Sequence, residues 1–121
     1  MARILIADDE EPDLRLMEAI LERAGHEVRL VEDGEAALKA CRADPFDVVV
    51  TDLQMPNVHG FELITALRDL DSAPPIIAVS GTGHEQLEIA DALGAKFTLS
   101  KPIDPHALLA AVDQILRFPS G

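Results

Sequence analysis

Three apolar runs stand out along the chain, Ile4–Ala7, Val48–Val50 and Ile76–Val79, each ended abruptly by polar residues. Runs apolar at every position, without alternation, belong to strands buried on both faces, which is the mark of a parallel sheet. Val28–Val31 and Phe97–Leu99 mix polar residues into the pattern and predict less enclosed strands. Between the runs the period changes to three and four. Leu14, Met17, Ile20, Leu21 and Ala24 repeat as one helical face, followed by Gly25 where a C-cap belongs. The same spacing recurs in Ala37, Leu38 and Cys41, in Phe61, Ile64 and Leu67, in Leu87, Ala90 and Leu93 before Gly94, and in Leu108, Val112, Ile115 and Leu116. Asp104-Pro105 opens the last of these as a capping residue followed by proline at the first helical position.

The pattern is five strand-helix units, and short parallel strands joined by helical crossovers give a doubly wound α/β sheet with helices on both faces. With 121 residues and 13.1 kDa, one domain spanning 1–121 is expected. There is no repeat, low-complexity tract or internal linker. Residues 118–121 read as a frayed end or the start of a linker.

Composition narrows the function. A hydrophobic fraction of 48% with 26% charged residues is globular rather than disordered or fibrous. Ten Lys plus Arg against 22 Asp plus Glu leave a formal charge of −12. A generic nucleic-acid binder is basic, so direct nucleic-acid binding is not expected, nor is attachment to an anionic membrane. The single cysteine, Cys41, forms no internal disulfide and reads as a small buried side chain in a reducing compartment. The short apolar start is no signal peptide or membrane span, and a cytoplasmic location is expected.

In such sheets ligands bind beyond the carboxyl ends of the strands. The first strand runs into Asp8 and Asp9, the third into Asp52, the fourth into Ser80, and the fifth into Ser100 and Lys101. Taken singly, each has a bland reading as a cap, a turn former or a solvated cation. Jointly they differ, because carboxylates a few ångströms apart repel by ~3 kcal/mol per pair at an effective dielectric of about 20. Lys101 supplies one compensating charge, and a divalent metal supplies the rest. Hard oxygen ligands without paired Cys or His point to Mg²⁺. His26, His59, His84 and His106 are isolated and read as surface residues. A metal, a lysine and a hydroxyl around a spare carboxylate suit phosphoryl transfer, with the carboxylate oxygen as nucleophile.

Asp8-Asp9, Asp52-Leu53-Gln54-Met55-Pro56 with Gly60, Ser80 and Lys101-Pro102 together resemble the receiver domain of bacterial two-component response regulators, over essentially the whole chain. The resemblance implies a flavodoxin-like, five-stranded parallel sheet of order 2-1-3-4-5 with five helices. It implies that Asp52 accepts a phosphoryl group from a phosphohistidine on a sensor histidine kinase or histidine phosphotransfer protein. Asp9 and Asp52 would then ligate Mg²⁺ directly, with the Gln54 carbonyl as a third ligand and Asp8 acting mainly through a bound water. Lys101 would pair with one phosphoryl oxygen and Ser80 would hydrogen-bond another, and a cis bond is expected before Pro102. Such a domain catalyses only its own phosphoryl transfer and dephosphorylation. Its switching surface would be the fourth helix, fifth strand and fifth helix, at roughly 84–93, 96–99 and 106–116, acting on an output domain or downstream protein.

Three positions depart from the pattern. Thr98 stands where receivers commonly carry Tyr or Phe, Gly81 where Ala is frequent, and His59 where Asp is frequent. Alternation along the strand sends Phe97 to the face opposite Thr98, as a core residue and no substitute for the aromatic. Gly81 reads as a hinge that leaves a phosphoryl group open to water. The main rival is a Mg²⁺-dependent phosphatase of the haloacid dehalogenase type, but Asp8-Asp9-Glu10-Glu11 fits its nucleophile motif poorly and the chain has no room for a cap domain. A flavin-binding module is disfavoured by the absence of Trp and Tyr. A pseudo-receiver that only binds partners is disfavoured by the presence of all five chemical positions.

Overall fold

The computed structural model describes residues 2–55, 60–81 and 84–118, so the expectations for Pro56, His59, Thr82, Gly83 and residues 119–121 lie outside the described residues, as does the side chain of His84. The strands are β1 (Arg3–Ala7), β2 (Glu27–Val31), β3 (Val48–Asp52), β4 (Ile76–Ser80) and β5 (Phe97–Ser100). They alternate with α1 (Glu11–Arg23), α2 (Gly34–Ala43), α3 (Gly60–Arg68), α4 (His84–Leu93) and α5 (Pro105–Arg117). All four strand pairs are parallel, in the order β2-β1-β3-β4-β5.

Period-two alternation divides the apolar runs between two cores. Ile4, Ile6, Val48, Val50, Ile77 and Val79 pack with Leu14, Met17 and Leu21 of α1 and Leu108, Val112 and Ile115 of α5. Leu5, Val49, Ile76 and Ala78 face the other way, against Ala37 of α2, Leu63, Ile64 and Leu67 of α3, and Leu87 and Ala90 of α4. β1, β3 and β4 are therefore covered on both faces. β2 and β5, at the sheet edges, are only partly buried, as their mixed patterns predict.

Each strand extends beyond its apolar run, because backbone pairing does not require an apolar side chain. In β3 the ladder carries on through Thr51 and Asp52, opposite Ala78 and Val79. The polar strand ends thus become part of the rigid sheet.

The helix boundaries follow local chemistry. Gly25 takes the left-handed φ of +93° just past α1, and its N–H donates to the Glu22 carbonyl at 3.0 Å. Asp104 caps α5 by accepting the His106 N–H at 3.0 Å, with Pro105 next, as expected. Away from the carboxyl ends of the strands, the ring of Phe46 is met by the guanidinium groups of Arg3 (5.2 Å to the ring centroid) and Arg29 (5.3 Å). Those cations are paired in turn with Glu27 at 3.0 Å and Asp44 at 2.8 Å.

Two expectations need correction. His26 is not a surface residue: it is half-buried, and its Nδ1 accepts the Ala2 N–H at 3.2 Å, fastening the chain start where β1 begins. Burial holds its pKa below the ordinary imidazole value. Cys41 is half-buried rather than fully buried, though burial still pushes its thiol up to about 11, and it stays protonated at neutral pH. His106 is exposed, as expected.

Candidate functional site

Because all strands run the same way, their carboxyl ends share one edge. Asp8 and Asp9 follow β1, Asp52 closes β3, Ser80 closes β4 and Lys101 follows β5. Backbone bonds to neighbouring strands fix these positions. Asp8 N–H donates to the Val31 carbonyl at 3.1 Å, Leu53 N–H to Val79 at 3.0 Å, and Lys101 N–H to Ser80 at 2.9 Å. The Lys101–Pro102 peptide bond is cis.

Carboxylate oxygens of Asp8, Asp9 and Asp52 lie within 4.8 Å of one another. Asp8 and Asp52 are buried, at 0% and 2% exposure, whereas Asp9 is exposed at the mouth. Asp8 Oδ1 accepts the Glu10 N–H at 2.9 Å and so turns the chain into α1. Asp8 Oδ2 accepts no aligned hydrogen bond among the described residues. It faces Lys101 Nζ at 3.0 Å as one charge to another. Asp52 Oδ1 accepts the Gln54 N–H at 3.3 Å, and Asp52 Oδ2 lies 3.5 Å from Lys101 Nζ.

Electrostatics follow from this packing. Burial, reinforced by the Asp8 charge, pushes the Asp52 carboxyl up to about 6, while Lys101 and the Gln54 amide pull it the other way. Burial also works against the Lys101 ammonium. Contacts with Asp13 and Asp8 and the charge of Asp52 outweigh it, so the amine is held protonated above the ordinary lysine range.

The structure thus brings Asp8, Asp9, Asp52 and Lys101 together, as the strand-end pattern predicts, and places Gln54 two residues beyond Asp52. Ser80, fully buried at the end of β4, has its hydroxyl donating to Gln86 Oε1 of α4 at 3.3 Å. Thr98 pairs with Ala78 across the sheet on the α3/α4 side, and Phe97 packs into the opposite core with Leu99, as alternation requires.

Sequence reasoning missed Asp13, Glu10 and Gln86. Lys101 Nζ lies 2.9 Å from Asp13 Oδ2 and 3.8 Å from Glu10 Oε1. In sequence these are simply acidic residues at the start of a helix, the ordinary complement to its dipole. Gln86 offered no signal, since only the docking of α4 brings it to Ser80.

A cleft of about 400 Å³ lined by Leu53, Gln54, Met55, Phe61 and Gln86 opens beside the carboxylates. A second, of about 360 Å³ between Phe46, Leu70 and Pro74, lies at the opposite pole and holds none of these groups.

Comparison with known proteins agrees with this geometry. Residues 4–113 match the family described as response regulator receiver domain. Protein PilH of Pseudomonas aeruginosa is 35% identical over 119 residues, covering 96% of this chain and 98% of PilH. The alkaline phosphatase synthesis transcriptional regulatory protein PhoP of Bacillus subtilis is 34% identical over 116 residues, covering 95% of this chain. The chain spans only 48% of PhoP's length. The chemotaxis response regulator CheY4 of Vibrio cholerae superposes with a TM-score of 0.87 at 32% identity, over 95% of this chain and 98% of CheY4. A parallel sheet of this order, an acidic pocket at its carboxyl edge and a family match over nearly the whole length lead to one conclusion: the chain belongs to the response regulator receiver domain family, the signalling module of two-component systems.

Proposed function

We propose that this receiver accepts a phosphoryl group on Asp52 from a phosphohistidine of a sensor histidine kinase or histidine phosphotransfer protein. The aspartyl phosphate then switches the surface of α4, β5 and α5 toward an output domain or downstream protein. The observation that carries this reading is the convergence of three carboxylates within 4.8 Å beside a single lysine ammonium.

The donor set fits Mg²⁺. It consists of hard oxygens, and one buried carboxylate oxygen, Asp8 Oδ2, lacks an aligned donor. Asp9 and Asp52 would hold the ion directly, Gln54 through its carbonyl, and Asp8 through a water. When bound, the ion supplies positive charge against the phosphoryl oxygens.

The remaining chemistry belongs to the chain. An Asp52 oxygen gives an electron pair to phosphorus, the bond from phosphorus to the donor nitrogen breaks, and the imidazole leaves with that pair and takes up a proton. Lys101 offers its ammonium to one phosphoryl oxygen. Ser80 exchanges Gln86 for another, and this inward movement of the hydroxyl releases one polar contact between β4 and α4. The domain catalyses only this transfer and its own dephosphorylation. Among the described residues no helix is long and apolar enough to cross a membrane.

The test is incubation with acetyl phosphate and Mg²⁺, followed by mapping of the modified residue. One hydroxylamine-sensitive phosphoryl group on Asp52 is expected, and none in Asp52→Asn or under chelation. Modification elsewhere, or continuing turnover of phosphate esters, overturns the reading.

A further inference from the structure

We infer that Asp13 is a positioning residue for phosphoryl capture, acting through Lys101; the inference rests on Asp52 being the acceptor. Four carboxylates surround the Lys101 ammonium, and the nearest is not the acceptor. Asp13 lies at 2.9 Å, Asp8 at 3.0 Å, Asp52 at 3.5 Å and Glu10 at 3.8 Å.

Only the first two are close ion-pair distances. Asp8 on the pocket floor (0% exposed) and Asp13 on the first turn of α1 (26% exposed) hold the head group between them. The side of the ammonium toward Asp52 is left for an arriving phosphoryl oxygen. Among the described residues no other charged group lies as close to the side chain. Its stem passes Gly81, where even an added Cβ would come only to 3.7 Å of Lys101 Cβ.

Held this way, the ammonium stands back from Asp52. A short bond between Lys101 and Asp52 would tie up the oxygen pair that must attack phosphorus. With Asp13 neutralised, the nearest remaining carboxylates are the buried Asp8 at 3.0 Å and Asp52 at 3.5 Å, and Lys101 closes onto them. Asp13 therefore keeps the nucleophile available and the cation aimed at the incoming group.

The reaction that reads this is transfer from acetyl phosphate. The Asp52 oxygen gives its pair to phosphorus, the bond from phosphorus to the acetyl oxygen breaks, and acetate leaves with that pair. The second-order rate constant of phosphoryl gain is measured with Mg²⁺ for the parent chain, Asp13→Asn and Asp13→Glu. In parallel, the ¹⁵N resonance of the Lys101 ammonium is recorded in the unphosphorylated proteins.

Asp13→Asn is expected to slow capture about tenfold, the loss of one aiming contact, with a displaced Lys101 resonance. Asp13→Glu is expected to recover part of both. Simple removal of a negative charge from the path of an anionic donor predicts faster capture instead, so an unchanged or increased rate overturns the inference. A slower rate with the Lys101 resonance unmoved overturns it as well, since Asp13 would not then act through the lysine. A parent chain that gains no phosphoryl group, or an Asp52→Asn variant that still does, overturns the acceptor assignment instead.

Discussion

The carboxylate of Asp52 and the ammonium of Lys101, set at the ends of two different strands, stand 3.5 Å apart, close enough for strong attraction and too far for a short hydrogen bond. The pair sits in a pocket with more negative than positive charge, and most of what can be tested about the domain follows from that imbalance.

The first consequence concerns stability. The Asp52 carboxyl, ordinarily near 3.8, is raised to about 6 in the folded protein. A raised folded pKa means that the native state binds the proton more tightly than the unfolded chain does. The stability this proton contributes is fully present below about pH 3.8 and lost as pH rises through about 6. Asp52→Asn never ionises, so in metal-free buffer at pH 7.5 it should exceed the parent by on the order of 2 kcal/mol, with little difference at pH 4. Urea denaturation at the two pH values measures this; an equal gain at both would show that the charge is not responsible.

Removing the cation should have the opposite effect. Lys101→Met leaves Asp8 and Asp52 buried without their counter-charge, a loss of about 3 kcal/mol at neutral pH. Adding Asp52→Asn to Lys101→Met should restore more stability than Asp52→Asn adds to the parent. Strictly additive unfolding free energies would mean that the two groups do not interact.

Metal binding gives a third expectation. Asp9 is exposed, so Asp9→Asn should leave the apo fold intact. Mg²⁺ at a hundred times its dissociation constant stabilises a folded protein by about 2.7 kcal/mol. The parent should show a clear rise in unfolding temperature on adding Mg²⁺, and Asp9→Asn a much smaller one. Equal shifts would place the ion elsewhere.

The fourth expectation concerns signal lifetime. A Cβ added to Gly81 would sit 3.7 Å from Lys101 Cβ and 3.8 Å from its Cδ, ordinary packing distances. Gly81→Ala should therefore fold normally and cover one approach to the phosphoryl group, slowing its hydrolysis severalfold. A decay rate identical to the parent's, followed by mass spectrometry, would remove Gly81 from the account.

Much of this architecture was legible in the residues alone, because the features that define it are local. Unbroken apolar runs announced the doubly covered strands, and Asp104-Pro105 announced the start of α5. The parallel sheet then carried Asp8, Asp9, Asp52, Ser80 and Lys101 to one edge without further information. What stayed hidden depends on contacts between elements. Asp13 joins the pocket because α1 docks with its first turn toward Lys101, and Gln86 reaches Ser80 because α4 packs beside β4. His26 looked like a solvated imidazole because its partner is a main-chain N–H of Ala2, a group common to almost every residue.

The Phe46 ring, met by both Arg3 and Arg29, links β1, β2 and the chain entering β3. Their partners Glu27 and Asp44 extend the clamp to β2 and to the turn after α2. The edge opposite the carboxylates is thus tied across two strands by ring and charge contacts. The two poles of the domain therefore differ in kind: paired cations around an aromatic ring at one, crowded carboxylates around a lone ammonium at the other.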